Sequence, residues 1–298
     1  MRGIGFGRVV AMSLHMAEQL DALLPAEMAA KAENIGVRKA GLDATRTFVL
    51  AVLAGAFIAL GAVFSTTIGA GADSPYGWNR LLMGLGFSLG LVLVVVGGAE
   101  LFTGNNLIIM AWANKKVTTA RLLRNWLIVY AGNFAGAAAT AVFVYAGAQY
   151  AFGGGAVGAN ALSIANVKCN LSFVQAIALG TMCNALVCLA VWLSYSGRGT
   201  TDKISAIILP ITAFVTVGFE HSIANMYFVP IGLLIKTWAP ESFWQAIAKT
   251  PADYPQLSPH NFVFGNLLPV TIGNVIGGAL LVGIVYWFVY LRQDRGRS

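Results

Sequence analysis

Charge is scarce in this chain of 298 residues. Only 10% of the residues are charged and 57% are hydrophobic, whereas a soluble domain usually carries about 25% charged residues. This composition excludes an ordinary soluble domain and indicates an integral membrane protein that lies almost entirely in the bilayer. The net charge of +7 does not indicate nucleic-acid binding, because the basic residues lie in short loops and tails and no motif for RNA or DNA is present.

Cysteine and histidine are also rare, with three residues of each type. Cys183 and Cys188 lie in an apolar stretch and read as small core residues, and Cys169 falls in a loop. No metal-ligand spacing is present. Only His221 lies in an apolar segment, since His15 and His260 fall outside. A membrane-embedded redox enzyme needs a haem pair, a metal cluster or paired acid and base residues, so we expect no enzyme, no metal and no cofactor.

Long uncharged runs predict six crossings, because spanning a bilayer takes about 20 apolar residues. Two of these runs are too long for one straight helix and too short for two, so each is interpreted as two half-helices with a break at its middle. The expected crossings are 47–69, 81–114 (broken), 122–150, 172–195, 204–236 (broken) and 262–291.

The remaining segments are assigned by charge. Residues 1–46 contain acids, bases and a proline and lack a compact apolar signal core, so they predict a cytoplasmic amphipathic segment. Residues 47–291 form the transmembrane domain, and 292–298 a cytoplasmic tail. With both termini inside, 15 lysines and arginines are cytoplasmic and four are outside, which is a clear positive-inside bias. The four outside residues are Arg80, Lys168, Lys236 and Lys249.

The chain contains an internal repeat. Gly-Asn-x-x-Gly occurs at 132–136 and 273–277, and Gly-x-Glu occurs at 98–100 and 218–220. Each half therefore has a straight, a broken and a straight crossing. Three crossings per half is an odd number, so we expect the halves to be inverted in the membrane. The second half also has a longer outer loop, 237–261.

The two breaks predict a transport pathway, because ionisable residues at membrane depth are costly and broken helices line such pathways. Thr103 and Ser222 are the expected N-caps of the restarting helices. Free N–H groups at two helix N-termini favour an anion. We expect Glu100 and Glu220 to be structural and to hold the unwound backbone by accepting N–H bonds.

His221 is a titratable group at the second break, and we expect it to be functional. Asn184 is its expected partner across the bundle, with an ordinary interhelical hydrogen bond as the alternative. Phe87, Leu91 and Phe214 lie near the breaks. Their spacing alone favours core packing over a gate that closes by excluding water.

Several segments closely resemble signatures of the formate/nitrite transporter family. They are Val-Val-Gly-Gly-Ala-Glu-Leu-Phe-Thr-Gly at 95–104, Gly-Phe-Glu-His-Ser-Ile-Ala-Asn at 218–225, Asn-Trp at 125–126 with the first Gly-Asn-x-x-Gly, and Cys-Asn at 183–184 followed by Trp-Leu-Ser-Tyr-Ser-Gly-Arg at 192–198. The resemblance extends over roughly 25–290. It implies an aquaporin-like, all-α membrane fold and a homopentamer in which each protomer has its own pore.

The resemblance also implies roles for individual residues. His221 is similar to the family's central pore histidine, and Thr103 to a threonine that contacts it from a mobile loop containing Leu101 and Phe102. Asn184 and Glu220 match residues near that histidine. The family's two hydrophobic constrictions correspond to Phe87, Leu91 and Phe214, and its basic outer-vestibule residue to Lys168.

The function implied is transport of small monovalent weak-acid anions across a bacterial cytoplasmic (inner) membrane. Formate is the first expectation, with nitrite or hydrosulfide as alternatives. The anion is expected to cross with a proton, which either His221 or bulk water supplies. A pH-independent channel for water or neutral solutes is the competing hypothesis, and the lack of Asn-Pro-Ala motifs argues against it.

Overall fold

The computed structural model describes residues 22–71 and 73–292. Predictions that fall on 1–21 and 293–298, including His15, the first part of the amphipathic segment and almost all of the tail, lie outside the described residues. The helices are α1 (Pro25–Gly41), α2 (Ala44–Ile68), α3 (Tyr76–Gly97), α4 (Phe102–Asn105), α5 (Ile109–Ala113), α6 (Thr119–Ala146), α7 (Ala156–Lys168), α8 (Phe173–Ser196), α9 (Thr200–Val217), α10 (Ser222–Trp238), α11 (Glu241–Ala246) and α12 (Asn261–Tyr290).

Six of the described helices are long and apolar enough to cross a membrane, namely α2, α3, α6, α8, α9 and α12. They confirm the six predicted crossings. Both predicted breaks are also present, between α3 and α4 and between α9 and α10. The first break does not lie at the middle of its run. Helix α3 takes 22 residues, about 33 Å at 1.5 Å per residue, and the remainder, 102–113, is short and contains a 3₁₀ turn at Asn106–Ile108.

Each break begins at a glycine in the left-handed region. Gly98 has φ of 80° and Gly218 has φ of 82°, a conformation that glycine adopts without the steric strain of a Cβ atom. Backbone N–H groups then turn back to the last carbonyls of the helix, as when Gly98 and Ala99 both donate to Val94. Such a cap ends an α-helix.

The straight crossings of each half pack closely through glycine. A Cβ atom at Gly136 of α6 would overlap the carbonyl of Val52 on α2, and one at Gly277 of α12 would overlap the carbonyl of Thr181 on α8. These contacts explain the Gly-Asn-x-x-Gly motifs, since small residues let helix backbones approach. Helices α3 and α9 pack on each other between the two pairs.

One helix was not expected. The sequence predicts no helix between 150 and 172, yet α7 lies there and packs against α10. It precedes α8 in the second half as α1 precedes α2 in the first. The outer loop 237–261 contains α11, whose Phe243 meets Tyr150 with ring centroids 5.2 Å apart.

Candidate functional site

Asparagine side chains hold the unwound backbone at both breaks. Asn133 donates to the carbonyls of Ala51 (2.7 Å) and Glu100 (2.9 Å), and its Oδ1 accepts from the N–H of Phe102 (2.9 Å). It is fully buried. The side chain thus satisfies backbone groups that would otherwise be unpaired at the break.

Asn274 makes the same three contacts in the second half. It donates to the carbonyls of Gly180 (2.8 Å) and Glu220 (3.0 Å) and accepts from the N–H of Ser222 (2.9 Å). These are the asparagines of the two Gly-Asn-x-x-Gly motifs. The motifs predict an internal repeat from the sequence, and the matching asparagines in them were a readable signal for this shared role.

The two glutamates are buried, but their predicted partners are wrong. The Glu100 carboxylate pairs with Lys39 (3.0 Å) and accepts from the Asn105 amide (2.7 Å). Asn105 also donates to Asn125 (3.0 Å). One side-chain amide and a lysine therefore hold the Glu100 carboxylate, and not the N–H groups of the unwound backbone.

The second glutamate repeats this arrangement. Glu220 pairs with Lys168 (2.8 Å) and accepts from the amides of Asn225 (2.7 Å) and Asn266 (3.2 Å). The family resemblance implies that Lys168 is the basic residue of an outer vestibule. Instead its charge is neutralised by Glu220, and its side chain is 13% exposed. Its ammonium also lies 5.3 Å from the centre of the Phe228 ring.

These contacts define a repeated cluster that sequence reasoning missed. Lys39 and Lys168 are 129 residues apart, as are Leu50 and Leu179, whose carbonyls accept from the N–H groups of the two glutamates. The Glu-to-Asn spacing of five residues, 100 to 105 and 220 to 225, was a readable signal. The inverted orientation of the two halves stays a prediction.

The two breaks meet at Thr103 and His221. Thr103 Oγ1 lies 3.0 Å from His221 Nε2, and the backbone N–H of Ala224 donates to His221 Nδ1 at 3.1 Å. His221 is therefore the N-cap of α10, and the prediction that Ser222 fills this role is wrong. Ser222 is already the first helical residue. Likewise the N-cap of α4 is Leu101 and not Thr103.

Backbone conformation explains why Leu101 and His221, and not Thr103 and Ser222, are the N-caps. A residue in the N-cap position is extended, with its side chain facing the first free N–H groups. Leu101 (φ −107°, ψ 126°) and His221 (φ −114°, ψ 113°) have this conformation. The imidazole nitrogen then serves where a serine or threonine oxygen was expected.

Asn184 holds the Thr103 segment and not His221. Its amide donates to the carbonyls of Thr103 (3.3 Å) and Asn274 (2.7 Å) and to Asn106 Oδ1 (2.9 Å). The Cys188 thiol also donates to the Thr103 carbonyl (3.3 Å). The expected pairing of Asn184 with His221 is therefore wrong, and the alternative, an ordinary interhelical hydrogen bond, is confirmed by its bond to Asn274 on α12. The network fixes Thr103 opposite the histidine.

Aromatic rings cover one side of this pair. The Phe214 ring stacks on His221 with centroids 5.9 Å apart, and Phe87 meets Phe214 edge-on at 5.5 Å. Phe228, which the sequence reading did not single out, lies 6.3 Å from Phe87. All three phenylalanines are buried. The structure thus brings two of the three expected constriction residues together.

A cavity of about 440 Å³ opens on the α1 side of the breaks. Leu91 and Leu101 lie in its wall, so the third constriction residue belongs to this side. Basic residues from α1 and α9 also line it, including Lys31 and Lys203. Burial, together with the charges of Lys203 and Arg198, lowers the pKa of Lys31. The cavity is therefore electropositive.

Comparison with known proteins identifies the family. The model of the formate/nitrite transporter family matches residues 26–288. The chain belongs to the formate/nitrite transporter family. With its six apolar helices it is a multi-pass membrane protein.

Two relatives illustrate the similarity. The formate channel FocA of Escherichia coli is 46% identical over 275 residues, which are 92% of this chain and 96% of that protein. The formate channel FocA of Haemophilus influenzae is 41% identical over 264 residues, covering 88% of this chain and 93% of its own.

Solved structures agree with this assignment. A pentameric formate channel with formate bound has a TM-score of 0.80 and 48% identity, and the match covers 84% of this chain and 98% of that one. An ion channel of the same family has a TM-score of 0.73 and 26% identity, and the match covers 88% of this chain and 98% of that one.

Proposed function

We propose that this protein conducts formate across the cytoplasmic membrane through a pore in each protomer of a homopentamer. The observation that carries the proposal is the 3.0 Å contact between Thr103 and His221, where the two helix breaks meet beneath stacked aromatic rings. The similarity to formate channels supports formate as the substrate and five as the number of protomers. The excess of lysine and arginine supports cytoplasmic termini.

Electrostatics suits a small anion. The basic cavity draws it from the α1 side, and the N-terminus of α10 offers a partial positive charge. Beyond that point Phe87 and Phe214 present only apolar surface. Moving a bare charge past such surface costs several kcal/mol, and a less polar environment favours the protonated form of a weak acid. The species that passes the rings is then formic acid, so that anion and proton cross together.

The geometry of His221 supports bulk water as the source of that proton. Nδ1 accepts the Ala224 N–H, so it carries no proton, and the proton of the neutral ring lies on Nε2, facing Thr103 Oγ1. The imidazole ring could donate a proton and remain neutral only if both of its nitrogens were protonated beforehand. In that state Nδ1 would carry an N–H directed at the N–H of Ala224. The cap of α10 opposes this state, and His221 acts as a polar pivot.

Flux into proteoliposomes tests two parts of the proposal: that formate crosses together with a proton, and that bulk water and not His221 supplies this proton. We expect formate uptake to increase with an inward proton gradient, and His221→Asn, which can keep the Ala224 cap through its amide oxygen, to retain this proton coupling across pH. Loss of coupling in a folded His221→Asn protein would show that the imidazole itself transfers the proton. Ile223→Val, one methylene smaller beside the site, is the matched control.

The same vesicles rank the substrates. We expect formate to cross faster than nitrite, and nitrite faster than hydrosulfide, at equal concentration and pH. Flux of water or glycerol that does not depend on pH, without formate flux, would overturn the proposal in favour of a neutral-solute channel.

A further inference from the structure

Arg80 reaches from the first turns of α3 to the end of α9. Its Nε donates to the carbonyl of Thr216 at 3.2 Å, and its Nη2 donates to the carbonyl of Val215. The Thr216 hydroxyl in turn lies 3.4 Å from the Arg80 carbonyl oxygen. The side chain is only partly buried.

Arg80 covers the carbonyl end of α9, and the partial charge of this helix end affects an anion in the pore. The last carbonyls of a helix carry a partial negative charge equivalent to about half an electron. Helix α9 ends at the break that leads to His221, and Phe214 in its last turn stacks on that histidine. An uncovered α9 terminus would repel an anion close to the rings of Phe87 and Phe214.

Arg80 also lies on the face of α3 that borders this path. Residues 80, 84, 87 and 91 follow the spacing of one helical face. Gly84 packs closely on Thr212 of α9, Phe87 touches Phe214, and Leu91 lines the cavity on the other side. The guanidinium therefore stands two turns from Phe87, toward the end of the molecule where α7 and α11 lie.

Two of the other cations near this end have partners. Lys168 is paired with Glu220, and Lys236 donates to the carbonyls of Tyr254 (2.7 Å) and Leu257 (2.9 Å) in the outer loop. Within residues 22–71 and 73–292, no salt bridge is formed by Arg80. Of the five N–H donors of a guanidinium, the carbonyls of α9 engage two.

We propose that Arg80 forms the anion-recruiting site at this entrance, in place of the neutralised Lys168. It covers the negative end of α9 and offers its remaining donors to a carboxylate, the geometry that guanidinium groups bind well. The inference rests on the proposed formate transport. It adds the group that attracts the anion before the anion reaches the apolar rings.

Transport kinetics from the α7 side test the proposal. Arg80→Gln should raise KM for formate by about three- to tenfold at low ionic strength, the size expected for one charge about 4 Å away at the dielectric constant of bulk water. The maximal rate should change little, and Arg80→Lys should restore most of the KM. At 1 M salt, where the Debye length is about 3 Å, the variants should converge. Arg124→Gln is the matched control, since that arginine also donates to a helix-end carbonyl, Leu42 at 3.1 Å, but at the α1 side of the molecule and not at the entrance that Arg80 faces.

A chemical rescue separates charge from helix capping. Cys169, Cys183 and Cys188 are all buried, so a thiol reagent applied to Arg80→Cys should react at position 80. A trimethylammonium reagent should lower KM again, and a neutral reagent of equal size should not. Equal effects of the two reagents, or an unchanged KM in Arg80→Gln, would overturn the proposal.

Two further outcomes are decisive. If Arg80→Gln and Arg80→Cys fail to fold, the test is the salt dependence of KM in the wild-type protein. A wild-type KM that does not depend on salt contradicts recruitment of the anion by charge. If wild-type protein moves no formate at all, the proposed function fails and not merely the role of Arg80.

Discussion

At the level of single residues, the two breaks share one solution. In each, a buried glutamate is held by a lysine from the helix that opens its half of the chain, α1 or α7, and by the amide of the asparagine five residues later, and a further asparagine satisfies the broken backbone. The halves differ at the next position, which is Leu101 in one and His221 in the other. A charged framework common to both halves thus supports a single imidazole.

Removing one member of a charged pair should destabilise the fold. We expect Lys168→Met to lower the free energy of unfolding by about 3 kcal/mol, because Glu220 would be left buried and unpaired. The double variant Lys168→Met with Glu220→Gln should recover much of this loss. Lys39→Met is the matched change in the other half and should cost less, since the Lys39 side chain is 24% exposed.

Unfolding in detergent, followed by tryptophan fluorescence across a denaturant series, measures these differences. A double variant that is as unstable as Lys168→Met would show that packing of the lysine, and not the ion pair, carries the effect.

At the level of helices, close approach of backbones decides stability. Gly136 sits where a methyl group would overlap the Val52 carbonyl, whereas a methyl group on Gly77 in the first turn of α3 would meet nothing within 4 Å.

We therefore expect Gly136→Ala to separate α6 from α2 and to displace Asn133, three residues earlier on α6, from its backbone partners. The change should reduce the yield of folded protein or lower the midpoint of thermal unfolding by several degrees. Gly77→Ala should leave both unchanged. Size-exclusion profiles and thermal scans of the two proteins provide the comparison, and equal behaviour would contradict the packing argument.

The sequence predicts the crossings and both breaks because hydrophobic length and a glycine before a buried acid are strong local signals. It does not predict α7, whose residues are small and mostly uncharged, so no polar face distinguishes this helix from the run before it. It also misplaces the caps. Serine and threonine are the preferred N-cap residues, and only the extended backbone at His221 reveals that an imidazole fills this position. Partners distant in sequence, such as Lys39 and Glu100, depend on the tertiary fold.

At the level of the whole molecule, large apolar side chains remain uncovered on the outside of the protomer. Along α2, Val49, Leu53, Leu60 and Phe64 are 43–54% exposed. In a membrane such a face contacts either lipid or a neighbouring subunit, and small residues on several helices suit close packing between subunits.

We expect the purified protein to assemble as a pentamer. Native mass spectrometry from detergent should show a species of five times 31.4 kDa, and brief chemical cross-linking should produce a ladder that ends at five subunits. A predominant monomer or trimer, in a sample that still transports formate, would refute the pentamer while leaving the pore in each protomer intact.

The buried rings of Phe87, Phe214 and Phe228 bear on the energy supply of the cell. Free protons cross membranes by hopping along connected water molecules, and buried aromatic surface breaks such a chain. We therefore expect the protein to let an acid escape or enter without discharging the transmembrane voltage. A cell could keep the channel in its membrane at all times and still make ATP from the voltage across that membrane.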